Sequence, residues 1–597
     1  MKILGVSAFY HDSAAALIED GRIVGAAQEE RFTRKKHDNS FPKNSINYLL
    51  QEAKCQINDI NVIVFYENPY LKFNRIIKSF AAYAPTGFDN FFPVIAAQWK
   101  KIKIKSIIAR ELDYRGQIEF IKHHASHAAS AFYPSPFNSA AFLTVDGVGE
   151  CETTTYGVGQ GNNIKLHKRI SFPHSLGLLY AALTYFTGFK VNSGEYKVMG
   201  LAPYGQPKYV KNILGELVDV KDDGSFRLNM SYFDYGVGVK MTNEKFEKLF
   251  GRAVRPREST ITQDDMDLAR SIQEVTDMVM VKMARHIRQA TGERYLCLAG
   301  GVALNCVANS KILTERIFDD IWIQPAAGDA GGALGAALYY WHQMLDHERQ
   351  PIVRHNTYLG PQFSQDEIND YLDYNNIPYT YHKNIEAKTA DLLVQGKIIG
   401  WFSGRMEFGP RALGGRSILG DARLQSMQAD MNLKIKFRES FRPFAPAVLE
   451  DKAADWFEID QPSPYMLLVA DVKKDKRKIV SNDNGQTGFD MLKAVRSDIP
   501  AVTHVDFSAR LQTVSREMNR KFYDLIANFY GKTGCPVIIN TSFNVRGEPI
   551  VCAPEDAYRC FMRTGLDYLV LENFLIDKKA QPNWQEKDDW REDFVLD

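Results

Sequence analysis

The chain opens on a strand–hairpin–strand pattern that returns at Ala140, and this repeat constrains the fold more than any other feature. Residues 3–6 read as a short apolar strand. After a loop, the apolar run 14–18 meets Asp20-Gly21, the dipeptide of a type I′ hairpin turn, and continues into 23–27. The second copy runs along 140–145, breaks at Asp146-Gly147-Val148-Gly149 and resumes at 153–157. An internal duplication of one sheet accounts for both. A chain of 597 residues has room for about two to four domains.

Two glycine-rich junctions follow. A helical stretch over 263–291 and a strand at 295–298 lead into Ala299-Gly300-Gly301-Val302-Ala303-Leu304-Asn305, and a strand at 321–324 leads into Gly328-Asp329-Ala330-Gly331-Gly332-Ala333-Leu334-Gly335. Glycine at a strand-to-helix turn lets the backbone approach a phosphate, and the helix N-terminus favours negative charge. Small residues there also let a helix pack closely, and both readings stand. Gly147, Gly300, Gly301, Asn305 and Gly331 are the candidate nucleotide contacts. Near 355–361 the pattern shifts to a helix at 365–375 and a strand at 398–402, which divides the chain into residues 1–355 and 356–597. The second part reads as one mixed α/β domain, with a buried strand at 537–540 and a helix at 555–564.

Composition excludes several classes. Lys plus Arg (73) nearly cancels Asp plus Glu (72), so no global field draws the chain to nucleic acid. Seven cysteines without a CxxC pair read as reduced thiols of a cytoplasmic protein. The N-terminus meets His11 and Asp12 too early for a signal peptide. Residues 66–110, cut by Pro69, Pro85 and Pro93 and bearing Lys72, Arg75, Lys78 and a basic run at 100–105, read as amphipathic helices that do not span a bilayer. Their basic end reads as a solvated face, so neither a nucleic acid nor a membrane is expected as a partner. A homodimer is left open.

The chemistry-bearing residues fall in two groups. His123 and His127 are four residues apart in a helical run, on one face, a spacing shared by metal ligands and by buried structural pairs. Asp146, after the strand 140–145, and Asp329, in the second junction, supply carboxylates. Two histidines with two aspartates suit iron(II), manganese or zinc better than calcium. His124 points elsewhere on the helix and reads as structural. His11, in the loop after the first strand, has the titration range of a general base, and a hydrogen bond fixing its loop would explain it equally. The charged stretch 29–38 is a solvated face from which a lysine can reach a phosphate. In the C-terminal half, Arg411 lies among glycine and proline in Phe408-Gly409-Pro410-Arg411, and Lys436, Arg438 and Arg442 surround proline-stiffened turns. Arg510 follows Ser508-Ala509, and Ser542 lies in Asn540-Thr541-Ser542-Phe543-Asn544. Such groups on stiff turns suit a phosphate or carboxylate ligand.

The ordered series His11-Asp12-Ser13-Ala14-Ala15, Glu30-Arg31-Phe32, His123-x-x-x-His127, the run from Tyr196 to Gly205, Gly300-Gly301-Val302-Ala303-Leu304-Asn305, Gly409-Pro410-Arg411, Phe441-Arg442-Pro443-Phe444-Ala445-Pro446 and Asn540-Thr541-Ser542-Phe543-Asn544 resembles the O-carbamoyltransferases of the NodU/CmcH type over nearly the whole chain. The resemblance implies an α/β fold: an actin-like N-terminal domain (ASKHA, a duplicated RNase H-like sheet), similar to the tRNA threonylcarbamoyl transferase TsaD, and a YrdC-like C-terminal domain. It implies that carbamoyl phosphate is cleaved in the C-terminal domain, that the carbamate is joined to ATP as carbamoyl-adenylate, and that the carbamoyl group passes to a hydroxyl of a small natural-product acceptor. Carried over by residue, His123, His127, Asp146 and Asp329 would hold iron(II), with Mg an optional companion of ATP. Arg411, Lys436, Arg442, Arg510 and Ser542 would bind carbamoyl phosphate, Lys36 would contact the adenylate, and His11 would deprotonate the acceptor hydroxyl. Gly415 replaces an expected Asn, and Phe507 replaces a common Gly. The rival readings are TsaD-like transfer to tRNA and a non-catalytic nucleotide switch.

Overall fold

Asp20 and Gly21 both adopt positive φ, +46° and +78°, as a type I′ turn requires. They join β2 (Ala14–Glu19) to β3 (Arg22–Gln28), and β2 pairs antiparallel with β1 (Lys2–Ser7). The computed structural model describes residues 1–352, 354–478, 488–584, 586 and 589–594. Two compact units divide the chain, one of Met1–Glu29 and His37–His355, the other of Glu30–Lys36 and Asn356–Asp597.

In the first unit β4 (Val62–Phe65) and β5 (Gln117–Phe120) extend the first sheet in parallel, giving the order β3-β2-β1-β4-β5. The second sheet repeats the plan. Its hairpin strands β6 (Ser139–Val145), β7 (Glu152–Gln160) and β8 (Asn163–Ser171) precede a separate small hairpin of β9 (Val218–Val220) and β10 (Phe226–Leu228). The parallel strands β11 (Tyr295–Ala299) and β12 (Asp320–Ile323) then complete the order β8-β7-β6-β11-β12. Two sheets of the same order and polarity in one unit are the expected actin-like duplication. The helix Gln263–Thr291 has the expected bounds, opened by a Thr262–Asp265 capping box. Within residues 66–110 the structure forms three helices, Pro69–Tyr83, Phe88–Ile102 and Ile104–Leu112, the first capped by Asn68 with Pro69 at its first position.

Between the sheets lie two small-residue helices, His123–Phe132 and Asp329–Tyr339. The latter packs on β1 and β2 and against the former, which packs on β6 and β11. Glycine sets how close they come. A Cβ on Gly335 would run into the carbonyl oxygen of Ser126, and one on Gly5 in β1 would run into that of Ala333.

The second unit is a mixed sheet over a large apolar core that includes Trp401, Phe402, Ile418, Ile538 and Phe529. Its strands are β13 (Thr380–Tyr381), β14 (Ile399–Phe402), β15 (Arg416–Asp421), β16 (Ala445–Leu449), the paired β17 (Val469–Asp471) and β18 (Ser508–Arg510), then β19 (Gln512–Val514), β20 (Val537–Ser542), β21 (Tyr568–Leu571) and β22 (Phe574–Asp577). Eight of them form one sheet in the order β13-β22-β21-β14-β15-β20-β16-β19.

One expectation about domain limits is corrected. Residues 1–355 are not one continuous piece, because Glu30–Lys36 belongs with the second unit. Its cations explain this. Arg31 donates to the Gly409 carbonyl at 2.8 Å, while Arg34 donates to the Ile550 and Pro549 carbonyls at 2.7 and 2.8 Å and to Glu548 at 3.0 Å. Phe32 packs on Met406, Ile550 and Cys552. All seven cysteines are free thiols. Among the described residues no helix is long and apolar enough to cross a membrane.

Because backbone atoms bar a side chain at Gly335, Gly335→Val is expected to lose about 1–3 kcal/mol of stability. Urea unfolding of the two proteins measures it.

Candidate active site and metal centre

Every residue of the helix His123–Phe132 is buried, so its two ligand-spaced histidines face the interior. Their Nε2 atoms lie 3.0 Å apart. Asp146 follows β6 and places Oδ2 3.2 Å from His123 Nε2, while its Oδ1 accepts the Gly301 N–H at 2.8 Å. Asp329 opens its helix, where unsatisfied N–H groups favour a carboxylate. Its Oδ1 is 3.6 and 3.7 Å from the Nε2 atoms of His123 and His127, and its Oδ2 accepts the Tyr66 hydroxyl at 3.2 Å.

One donor atom from each of these four buried residues lies within 4.8 Å of all the others. Asp329 Oδ1 is buried without a hydrogen bond. Two imidazole nitrogens in contact beside an orphaned carboxylate oxygen are costly to bury unless a cation shares them. The set fits a divalent transition metal, with nitrogen donors that calcium does not favour.

Burial alone would lower His123, but the Asp329 and Asp146 carboxylates carry it up to about 9. Both carboxylates are in turn held below their ordinary range, against burial, by the surrounding histidines. His124 is pushed down to about 3 by burial and by its two histidine neighbours, and its Nδ1 lies 2.7 Å from Thr144 Oγ1. It is structural, as expected.

Asp12 organises the loop of His11. Its carboxylate reaches His11 Nδ1 at 3.0 Å and His37 Nδ1 at 2.7 Å, so one acid orients two imidazoles. The loop holds left-handed φ at Phe9 (+71°) and Asp12 (+53°), and backbone bonds to Asn39 and Asp38 brace it at 3.0 and 2.9 Å. Burial would lower His11, but Asp329, Asp12 and Asp146 raise it to about 10. His11 therefore feels the field of the Asp146 and Asp329 carboxylates.

The glycine junctions serve the cluster first. Gly300 has φ +88°, and a Cβ there would meet the Val145 carbonyl, which brings Gly301 N–H onto Asp146. Gly331 lies in the helix Asp329–Tyr339 against the Ala326 carbonyl, whereas Gly147 has open space around it. Asn305 caps the helix Cys306–Thr314 and pairs its amide with Gln273 at 3.1 Å, so its side chain is already engaged. Lys36 lies in the segment that belongs to the second unit, whereas the other nucleotide candidates belong to the first.

In the second unit the expected anion ligands gather at one end of four adjacent strands. Ser542 ends β20, and the pairings Ser417↔Ser542, Ala445↔Asn540 and Ala447↔Gln512 bring the approaches to β15, β16 and β19 to that end. Arg411, Arg442 and Arg510 lie on those approaches. Asn540 donates to the Ala412 carbonyl at 3.2 Å and to Gln512 at 2.8 Å, and Gln512 donates to the Leu413 carbonyl at 2.8 Å, tying the Arg411 loop down. Lys436 is buried. Its ammonium donates to the Ser542 and Asn544 carbonyls, to Ser542 Oγ at 3.3 Å and to Asn544 Oδ1 at 2.8 Å. Burial, with Arg438 and Arg442 nearby, holds its pKa well below the lysine range.

Arg416 has a different task. Fully buried, it donates to the carbonyls of Gly404, Gly415 and Pro361 at 2.9–3.0 Å and stacks on Phe402. At Gly415 a Cβ would meet the Arg405 carbonyl at 2.7 Å, which explains glycine in place of Asn. Phe507 has φ +66°, a conformation glycine adopts more easily, and its ring lies 4.7 Å from the Arg477 guanidinium.

Three contributors were not singled out from sequence. Tyr66 fixes Asp329, Glu150 accepts the His123 N–H at 3.0 Å and the Asn68 N–H at 2.7 Å, and His37 shares Asp12. Glu150 and His37 sit in charged or glycine-rich stretches that marked their regions. Tyr66, ending an apolar strand, carried no such signal.

Comparison with known proteins agrees with this plan. Residues 2–338 match the family profile described as Carbamoyltransferase N-terminus, and residues 390–578 match Carbamoyltransferase C-terminus. An uncharacterized protein of Synechocystis sp. is 55% identical over the full length of both chains. Nodulation protein NolNO of Sinorhizobium fredii is 37% identical over 96% of this chain and 80% of its own. Nodulation protein U of Rhizobium tropici is 29% identical over 94% and 93%.

Two outcomes test the centre. Tyr66→Phe, which removes one hydroxyl from Asp329, is expected to weaken iron(II) or cobalt(II) binding about 10–100-fold without unfolding the protein, as a competition titration reads. His11 in metal-free protein is expected to stay protonated through neutrality and titrate near 10, and to titrate lower once a divalent cation offsets Asp329 and Asp146. Imidazole chemical shifts against pH follow both states.

Proposed function

The chain belongs to the carbamoyltransferase family, an enzyme family that transfers carbamoyl groups, and from that premise we propose that it is an ATP-dependent O-carbamoyltransferase. In this reading the second unit hydrolyses carbamoyl phosphate, water supplying the oxygen that replaces the broken anhydride bond, to carbamate and phosphate. The carbamate oxygen then attacks the α-phosphorus of ATP, giving carbamoyl-adenylate and releasing pyrophosphate. Finally a hydroxyl of a small natural-product acceptor attacks the carbamoyl carbon, and AMP leaves.

The observation that carries the reading is the buried His123–His127–Asp146–Asp329 cluster within the field of His11. A divalent metal held there, iron(II) in this proposal, would supply Lewis-acid stabilisation of phosphate charge. The chain's own groups do the rest. His11 Nδ1 faces Asp12, which leaves Nε2, freed of its proton when a divalent cation offsets Asp329 and Asp146, to take the proton of the acceptor hydroxyl, and Asp12 keeps the ring in that orientation. At the other centre Arg411, Arg442 and Arg510 would hold the phosphate of carbamoyl phosphate. Lys436, whose ammonium is already fixed by the Ser542–Asn544 loop, sets the shape of that pocket. Lys36 is proposed to contact the adenylate.

Iron-loaded protein given ATP and carbamoyl phosphate is expected to form carbamoyl-adenylate, phosphate and pyrophosphate, detected by mass spectrometry. Arg411→Ala should abolish all three products. His11→Ala should retain adenylate formation and lose transfer to the acceptor by about 100-fold or more, the scale of a general base. Turnover of threonylcarbamoyl-adenylate in place of carbamoyl phosphate would overturn the reading.

A further inference from the structure

The helix Phe88–Ile102 has no buried residue along its 15 positions. It pairs antiparallel with Pro69–Tyr83 through Phe73 against Trp99 and Phe80 against Phe91, at ring separations of 5.7 and 5.3 Å. The outward face of the pair is apolar. Phe88, Phe92 and Trp99 are 66%, 67% and 57% exposed, and Tyr70 and Ile77 on the partner helix are 54% and 40% exposed. The spacing of Phe88, Phe92, Ala96, Trp99 and Lys103 is that of one continuous stripe, apolar along its length and cationic at its end. The basic end, expected from sequence to be a solvated face, is exposed at Lys100, Lys103 and Lys105.

The charge of this region decides among occupants. Between Pro69 and Leu112 the chain has eight Lys and Arg and two Asp and Glu, a net +6 in a chain whose total is +1. Lys78, Lys100, Lys103 and Lys105 are all exposed. A second copy docked symmetrically would oppose two such patches, which like charges disfavour. Exposed aromatic rings beside lysines on a non-spanning helix are what an anionic lipid interface accepts, the rings entering the acyl boundary and the ammonium groups meeting headgroups.

We infer that the outer face of this helix pair docks the protein on an anionic bilayer surface. The root of the pair joins the loop of the candidate base: Lys101 donates to the Phe9 carbonyl, and Lys72, paired with Glu67 at 2.8 Å, lies 4.9 Å from the Tyr10 ring. Docking would thus place the lipid surface on the element that braces His11's loop.

The test is co-sedimentation of the full chain with vesicles of phosphatidylcholine alone and of phosphatidylcholine with phosphatidylglycerol. Binding is expected to the anionic vesicles only and to weaken in high salt. The combined variant Phe88→Glu, Phe92→Glu, Trp99→Glu should reduce the bound fraction about tenfold or more while keeping its thermal transition. Lys100→Gln with Lys103→Gln and Lys105→Gln, which leaves the apolar face intact, should reduce it as well. Tyr374→Glu, at an exposed aromatic in the second unit, should not. Absence of binding by folded protein, or equal binding by the triple glutamate variant, overturns the inference. So does a dimer in sedimentation velocity that the same variant splits, which would assign the face to a second copy.

Discussion

The first unit depends on how closely two small-residue helices approach. His123–Phe132 carries both histidines, and Asp329–Tyr339 begins with the carboxylate that completes their cluster. Backbone carbonyls at Ser126 and Ala333 occupy the space where side chains on Gly335 and Gly5 would stand. The glycine and alanine content of these helices is therefore a requirement of distance. It lets donor atoms from distant stretches of the duplicated unit meet within 4.8 Å of one another, and it fixes the spacing rigidly because backbone does not yield as a side chain would.

The two units solve inverse electrostatic problems. The first buries two carboxylates against two imidazoles, which hold both carboxylates below their ordinary pKa range. The second brings Arg411, Arg442 and Arg510 to one end of adjacent strands, where Arg442 lies 3.6 Å from Glu439 and bonds from Gln512 and Asn540 to backbone carbonyls hold the Arg411 loop. Preorganised donors of this kind lose little orientation when a ligand arrives.

Sequence reveals what is periodic or composed of unusual residues, and here that was much. The duplicated sheet was legible because its turns use residues with special backbone preferences, Asp20-Gly21 above all. The four-residue cluster was legible because histidine spacing on a helix survives any tertiary arrangement. The strap was not, since nothing local in Glu30–Lys36 says that Arg34 will meet carbonyls at Pro549 and Ile550. Tyr66 and the Asp12–His37 contact were hidden for the same reason. Asn305 shows the converse: a polar residue in a glycine junction reads as a ligand contact, while its helix cap and Gln273 account for its amide.

The strap also sets an order of events during synthesis. Arg34 is made 514 residues before Glu548, one of the groups it binds. Domains normally fold as they emerge, N-terminal first. Here an early segment must wait, its arginines and Phe32 unsatisfied, until the last strands of the second unit exist. A C-terminal half expressed from residue 356 onward would therefore lack Glu30–Lys36, a piece of its own unit.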